Sequence, residues 1–121
     1  MAQILVIDDS SFQRNKIRTV LETGGYELLE AASGYKGLEM AVADRPDCIL
    51  LDLIMPGMGG LEVLRTLHNR EMNVPVVVLT ADIQGSTRQR CLQLGATAFV
   101  NKPFEESELI HAIRQALDGK V

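Results

Sequence analysis

The reading of the fold turns on Cys48-Ile49-Leu50-Leu51-Asp52. Four apolar residues follow one another without polar alternation, and the run stops at a carboxylate. A strand with one wet face alternates apolar with polar, so an unbroken run of this length predicts a strand covered on both faces. Ile4-Leu5-Val6-Ile7 and Val76-Val77-Val78-Leu79 repeat the pattern, and Ala98-Phe99-Val100 is a shorter version. Glu27-Leu28-Leu29-Glu30-Ala31 is the weakest run, and its glutamates fit the edge of a sheet.

Helical patterns fill the spaces between these runs. Ser10 is placed to cap a helix with Ile17, Val20 and Leu21 on one face, ended by Gly24-Gly25. Ser33 is placed to cap a second, through Leu38, Met40, Ala41 and Val42, that stops before Pro46. Leu61, Leu64 and Leu67 form a third stripe. Cys91, Leu92 and Leu94 mark a fourth, stopped at Gly95, and Leu109, Ala112, Ile113, Ala116 and Leu117 mark a fifth. Strand and helix thus alternate five times, which predicts an α/β fold with a parallel sheet, helices on both faces and right-handed crossovers. No linker or repeat interrupts the pattern, so residues 1–121 read as a single domain.

Bulk properties narrow the function. A chain of 121 residues with 46% hydrophobic and 23% charged residues is globular rather than disordered, and long enough to form a core without staples. Its net charge of −4 argues against a nucleic-acid grip carried by bulk charge. No apolar run approaches the roughly 20 residues of a membrane-spanning helix, and Met1 is followed so soon by a strand that no signal peptide is expected. Cys48 and Cys91 lie apart in apolar segments and read as buried, reduced thiols, consistent with a cytoplasmic address.

The polar residues at the strand ends carry the chemistry, because ligands of open α/β sheets bind outside the carboxyl ends of the strands. The first strand ends in Asp8-Asp9, the third in Asp52 and the fourth in Thr80, and the fifth runs into Asn101-Lys102. With a flavodoxin-like strand order of 2-1-3-4-5, Asp8, Asp9 and Asp52 converge. Two like charges about 5 Å apart, at an effective dielectric near 20, repel by on the order of 3 kcal/mol. Lys102 offsets part of this. An all-oxygen set suits Mg²⁺, with Mn²⁺ possible, and not Zn²⁺; with such an ion the cleft is formally neutral. A lone Asp after a strand is ordinarily a turn residue, and that reading fits Asp8 taken alone. Complementary groups delivered by four strands to one edge are harder to explain as turns.

These residues closely resemble the receiver domain of two-component response regulators. The resemblance rests on Asp8-Asp9, on Asp52 within Leu51-Asp52-Leu53-Ile54-Met55-Pro56-Gly57-Met58-Gly59-Gly60, on Thr80-Ala81, on Gly95-Ala96 and on Lys102-Pro103-Phe104, in that order along the whole chain. It implies the (βα)5 three-layer sandwich with sheet order 2-1-3-4-5. It implies that Asp52 is the nucleophile phosphorylated by a sensor histidine kinase or phosphotransfer protein. Asp9, Asp52 and the backbone carbonyl of Ile54 would hold the metal, with Asp8 acting mainly through a water. Lys102 would pair with one phosphoryl oxygen and Thr80 would move to hydrogen-bond another. Phe99 would turn inward behind Thr80, although an ordinary core aromatic is an equal reading of that residue. The Lys102–Pro103 bond would be cis. The output surface would be helix four, strand five and helix five, with Arg88, Gln89, His111, Arg114 and Gln115 exposed on it. His68 and His111 are assigned to no metal.

The chain departs from the motor-binding chemotaxis members. Ile54 stands where they commonly have Asn, Asp82 where they have Glu, and Phe99 where they have Tyr. An apolar side chain at position 54 cannot orient an attacking water, so a longer-lived phosphorylated state is expected. The implied activity is that of a signalling switch with self-catalysed phosphoryl uptake and slow self-dephosphorylation, not of an enzyme that turns over small molecules. A Mg²⁺-dependent phosphohydrolase with an aspartyl nucleophile would usually carry a second Asp where Ile54 stands. A flavin electron carrier would need a Ser/Thr-rich loop where Asp8-Asp9 would repel the phosphate. A degenerate, binding-only receiver would lack the acidic set. Stand-alone receiver and receiver piece of a longer regulator remain equally compatible with the sequence.

Overall fold

The computed structural model describes residues 1–81 and 85–119. Asp82 lies outside the described residues. Five strands, β1 (Gln3–Ile7), β2 (Glu27–Ala31), β3 (Cys48–Asp52), β4 (Val76–Thr80) and β5 (Ala98–Asn101), alternate with five helices. The helices are α1 (Ser11–Thr23), α2 (Gly34–Asp44), α3 (Gly60–Asn69), α4 (Gly85–Gln93) and α5 (Glu106–Asp118). The strands form one parallel sheet in the order β2-β1-β3-β4-β5.

The unalternating runs now have their reason. Successive side chains of a strand point to opposite faces, and each face is roofed by helices. Ile4, Val6, Cys48, Leu50, Val77, Leu79 and Val100 pack under α1 and α5 with Ile17, Leu21, Leu109 and Ile113. Leu5, Ile7, Ile49, Leu51, Val76 and Val78 pack on the other face with Leu38, Ala41, Val63, Leu64, Leu67 and Cys91 from α2, α3 and α4. Both β3 and β4 are buried along their whole length, whereas β2 is only partly buried, as an edge strand should be. The two cysteines are free and buried.

The predicted caps form. Ser10 accepts the amide proton of Gln13, and Ser33 that of Lys36, each such cap contributing about 1 kcal/mol. Two stripes are narrower than the sequence implied. Val42 and Leu92 are exposed, and of the fourth stripe Cys91 alone is fully buried. A helix resting on a flat sheet buries only the turn-to-turn line that meets it, so an apolar residue one step around the helix faces water.

Candidate functional site

Register builds the site. β1 and β3 are neighbours with Ile7 opposite Leu51, so the next step along both strands sets Asp8 beside Asp52. This is where the chain order of the sheet reverses, with β2 on one side and β4 and β5 on the other. Carboxylate oxygens of Asp8, Asp9 and Asp52 all lie within 4.8 Å of one another. Asp8 and Asp52 are buried and Asp9 is exposed, which leaves the cleft open on one side.

Each buried carboxylate is held. The main-chain N–H of Asp8 donates to the Ala31 carbonyl, tying the end of β1 to β2. One Asp8 carboxylate oxygen accepts from the Ser10 N–H at 2.9 Å. The other meets Lys102 Nζ at 3.3 Å, and the same Nζ lies 3.5 Å from Asp52 Oδ1. The Ile54 N–H makes a long contact, 3.4 Å, to that Asp52 oxygen. Burial, more than any other cause, holds the Asp52 carboxyl above its ordinary range; Lys102 and the Ile54 N–H act against this, and Asp8 adds to it.

Lys102 reaches the cleft from the end of β5. Thr80 is paired with Asn101 in the ladder, its carbonyl accepts the Lys102 N–H at 2.8 Å, and the Lys102–Pro103 peptide is cis. Thr80 is buried at the end of β4. The Ile54 side chain is 74% exposed beside Asp52, too far into solvent to belong to the core. Gly60 brings the start of α3 hard against this loop. A Cβ there would lie 2.4 Å from the Asp52 carbonyl oxygen, so no side chain fits without displacing backbone.

The remaining candidates fall where the topology sends them. Phe99 is half-buried on β5, and the Arg88 guanidinium lies 4.7 Å from its ring centroid. Arg88, Gln89, His111, Arg114 and Gln115 are all exposed, as is His68. Sequence reasoning passed over Arg14 and Glu30. On α1, Arg14 donates through Nη1 to the Asp8 carbonyl at 2.5 Å and through Nε to Glu30 at 3.2 Å, while Arg18 pairs with the other Glu30 oxygen. The available signal was Glu30 itself, a charge inside a strand, which demands a partner when it is partly buried.

Among the described residues, the side-chain atoms of the cleft able to ligate a cation are oxygens, gathered around a space that one ammonium only partly neutralises. That set fits a hard divalent cation such as Mg²⁺ or Mn²⁺ and offers neither the nitrogen nor the sulfur that Zn²⁺ prefers. Residues 4–114 match the family model of the response regulator receiver domain. Response regulator MprA of Mycobacterium ulcerans is 40% identical over 115 residues, which is 95% of this chain and 50% of that protein; the protein of the same name from Mycobacterium leprae gives the same figures. The chain therefore spans about half the length of the curated relatives it matches. Among solved structures, chemotaxis protein CheY4 of Vibrio cholerae superposes with a TM-score of 0.91 at 31% identity, covering 97% of this chain and 99% of that one. A response regulator receiver domain from Clostridium thermocellum gives 0.92 at 30% identity, covering 99% and 97%.

Proposed function

The chain belongs to the response regulator receiver family of two-component systems, and on that premise we propose that Asp52 is its phosphoacceptor and that residues 1–121 act as one receiver. The observation that carries the proposal is Lys102 Nζ held between Asp8 and Asp52 at 3.3 and 3.5 Å, at the reversal point of the sheet and beside the exposed Asp9.

An Asp52 carboxylate oxygen attacks the phosphorus of a phosphohistidine on a sensor histidine kinase or phosphotransfer protein. The O–P bond forms as the N–P bond breaks, and the electron pair returns to the imidazole nitrogen. Lys102, already at the Asp52 oxygen, meets the charge of the incoming phosphoryl group. Receiver domains bind Mg²⁺ at such an acidic pocket. Here Asp9, Asp52 and the Ile54 carbonyl would hold it, with Asp8 at one remove through water, and the ion would supply charge that offsets the phosphoryl oxygens.

Once formed, the aspartyl phosphate offers strong acceptors one strand away from Thr80. The Thr80 hydroxyl turns to donate to one of them, and Phe99 turns into the space vacated. Arg88 covers the Phe99 ring in the present arrangement, so that contact is given up as the ring moves, and the face of α4, β5 and α5 changes shape. That face is the surface read by an output protein or domain. On this reading the unit is a cytoplasmic signalling switch that touches neither nucleic acid nor membrane; no described helix is long and apolar enough to cross one. A phosphohydrolase is disfavoured by the exposed apolar Ile54 where an acid–base carboxyl would stand.

The test is intact mass after incubation with acetyl phosphate. Wild type gains one phosphoryl group with Mg²⁺ and none without it, and Asp52→Asn gains none. Full-yield uptake by Asp52→Asn refutes the assignment.

A further inference from the structure

We propose that Arg14 is a positioning residue for the acidic cleft, acting through the main-chain carbonyl of Asp8, with Glu30 as its anchor. The inference rests on the metal-binding reading of the Asp8, Asp9 and Asp52 cluster given above.

Asp8 is fixed from several sides. Asp8 is 1% exposed, and its main-chain and side-chain groups are held from several directions. Ala31 takes its N–H, Ser10 and Lys102 take its two carboxylate oxygens, and Arg14 takes its carbonyl. The last of these governs the peptide that joins Asp8 to Asp9. Rotation of that peptide would swing the Asp9 side chain relative to Asp52, because the peptide leads directly into Asp9. A charged donor at 2.5 Å resists the rotation more strongly than a neutral one would.

Arg14 is in turn not free to wander. Its guanidinium is planar with a fixed fork of donors. One prong sits on the Asp8 carbonyl and Nε sits on Glu30, while Arg18, one turn later, pairs with the second Glu30 oxygen. Glu30 lies opposite Val6 in the β1–β2 ladder, so the anchor belongs to the rigid sheet rather than to a loop. The Arg14 side chain is only 16% exposed. The same helix also braces the opposite side of the cleft: Lys16 Nζ lies 5.3 Å from the ring centroid of Phe104, two residues after Lys102.

Charge and positioning predict opposite signs. Removing a cation beside an acidic cleft, by electrostatics alone, tightens the binding of a divalent metal. Removing the brace loosens it, and loss of an outer partner of a metal ligand typically costs 10–100-fold in affinity. Arg18 offers the matched control, with the same charge and the same Glu30 partner, whereas the Asp8 carbonyl is held by Arg14.

The experiment is Mn²⁺ titration followed by electron paramagnetic resonance, with urea unfolding and acetyl phosphate uptake on the same proteins. Arg14→Met is expected to weaken Mn²⁺ binding about tenfold and to raise the Mg²⁺ needed for half-maximal uptake in step, while the uptake rate at saturating Mg²⁺ stays near wild type. Arg14→Lys, which keeps the charge but not the planar fork, is expected to bind Mn²⁺ more weakly than wild type. Arg18→Met loses stability but keeps its Mn²⁺ affinity within about twofold. Unchanged or tighter Mn²⁺ binding by Arg14→Met overturns the proposal, and so does an equal loss in Arg18→Met. Should Arg14→Met fail to fold, Arg14→Gln must still weaken Mn²⁺ binding, against the tightening that loss of a cation alone would give, and unchanged or tighter binding there is equally fatal. A wild type that binds no Mn²⁺ removes the metal-site reading and this inference together, whereas wild-type binding with an indifferent Arg14 removes this inference alone.

Discussion

Replacing Asp52 with Asn should stabilise the metal-free protein. The acids of the cleft lie within 4.8 Å of one another. At an effective dielectric near 20 the buried Asp8 then repels Asp52 by about 3.5 kcal/mol, and the exposed Asp9, at a dielectric closer to water, adds about 1. Lys102 at 3.5 Å returns about 4.7 kcal/mol on the same scale. The charge–charge contributions nearly cancel, and desolvation of a carboxylate whose side chain is only 11% exposed is left over. Full burial of an ion costs several kcal/mol; with one side of the cleft open and the Ile54 N–H nearby, about 1–2 kcal/mol is the expected remainder. An Asn keeps the acceptor for Lys102 and Ile54 and sheds the charge. Urea unfolding at pH 7 in EDTA should therefore show Asp52→Asn more stable by about 1–2 kcal/mol at unchanged slope. The pH dependence has a fixed sign. The Asp52 carboxyl titrates above its ordinary 3.8 when folded, mainly through burial, so its penalty is full only above that raised value. It fades as pH falls through the raised value and is gone below 3.8. The advantage of Asn follows the same course. Saturating Mg²⁺ should reverse the order, since a ligand at 100 times its Kd stabilises by about 2.7 kcal/mol and Asp52→Asn has lost one donor. Wild type more stable than Asp52→Asn in EDTA at pH 7 would refute the electrostatic account of the cleft.

Three further substitutions probe the same architecture. Lys102→Met leaves Asp8 and Asp52 facing each other without a cation and should destabilise the metal-free protein by about 2–3 kcal/mol in urea unfolding; a loss that does not shrink in the Asp52→Asn background contradicts the pairing. Ile54→Asn puts a side chain able to orient water beside Asp52, and phosphate release from the phosphorylated protein should quicken about tenfold, the effect of roughly 1.4 kcal/mol in the barrier; equal rates remove position 54 from the control of lifetime. Gly60→Ala pushes a methyl group into the Asp52 carbonyl oxygen and should cost about 2–3 kcal/mol of stability; a change within about 0.5 kcal/mol would mean that α3 can shift away freely.

The residues that were legible in the sequence are those whose information is local. An apolar run ending in a polar residue marks both a buried strand and the sheet edge where it stops, which is why Asp8, Asp52, Thr80 and Lys102 were expected at one edge of the sheet, where the structure places them. Ser10 and Ser33 announce their helices because capping is a contact between near neighbours. Sheet order was different. Runs such as Leu50-Leu51 and Val77-Val78 are apolar on both faces and do not specify their neighbours, so the order 2-1-3-4-5 came only with the family resemblance. For the same reason the Arg14–Glu30 bridge was invisible. It depends on α1 crossing back over β2, and nothing in the spacing of 14 and 30 encodes that. Val42 and Leu92 misled in the other direction, because hydrophobicity at helical spacing does not distinguish the line that touches a sheet from the line beside it.

Taken together, these placements describe a cleft whose charges are left unbalanced by the fold itself. Lys102 is one ammonium shared between two buried carboxylates, and the exposed Asp9 adds a third negative group with no recorded cation of its own among the described residues. The charged ends of Arg14 and Arg18 are turned to Glu30 and to a carbonyl rather than to the acids, so they hold position without pairing with the carboxylates of the cleft. A fold selected for stability alone would have replaced one of the acids. On the proposed reading, retaining all three keeps the cleft receptive to a cation and then to a phosphoryl group, at a cost in stability of the unliganded protein. Burial of the Asp52 charge is the cost that a bound cation offsets, and on the proposed reading Asp52→Asn should lower that cost and abolish phosphoryl uptake in one step.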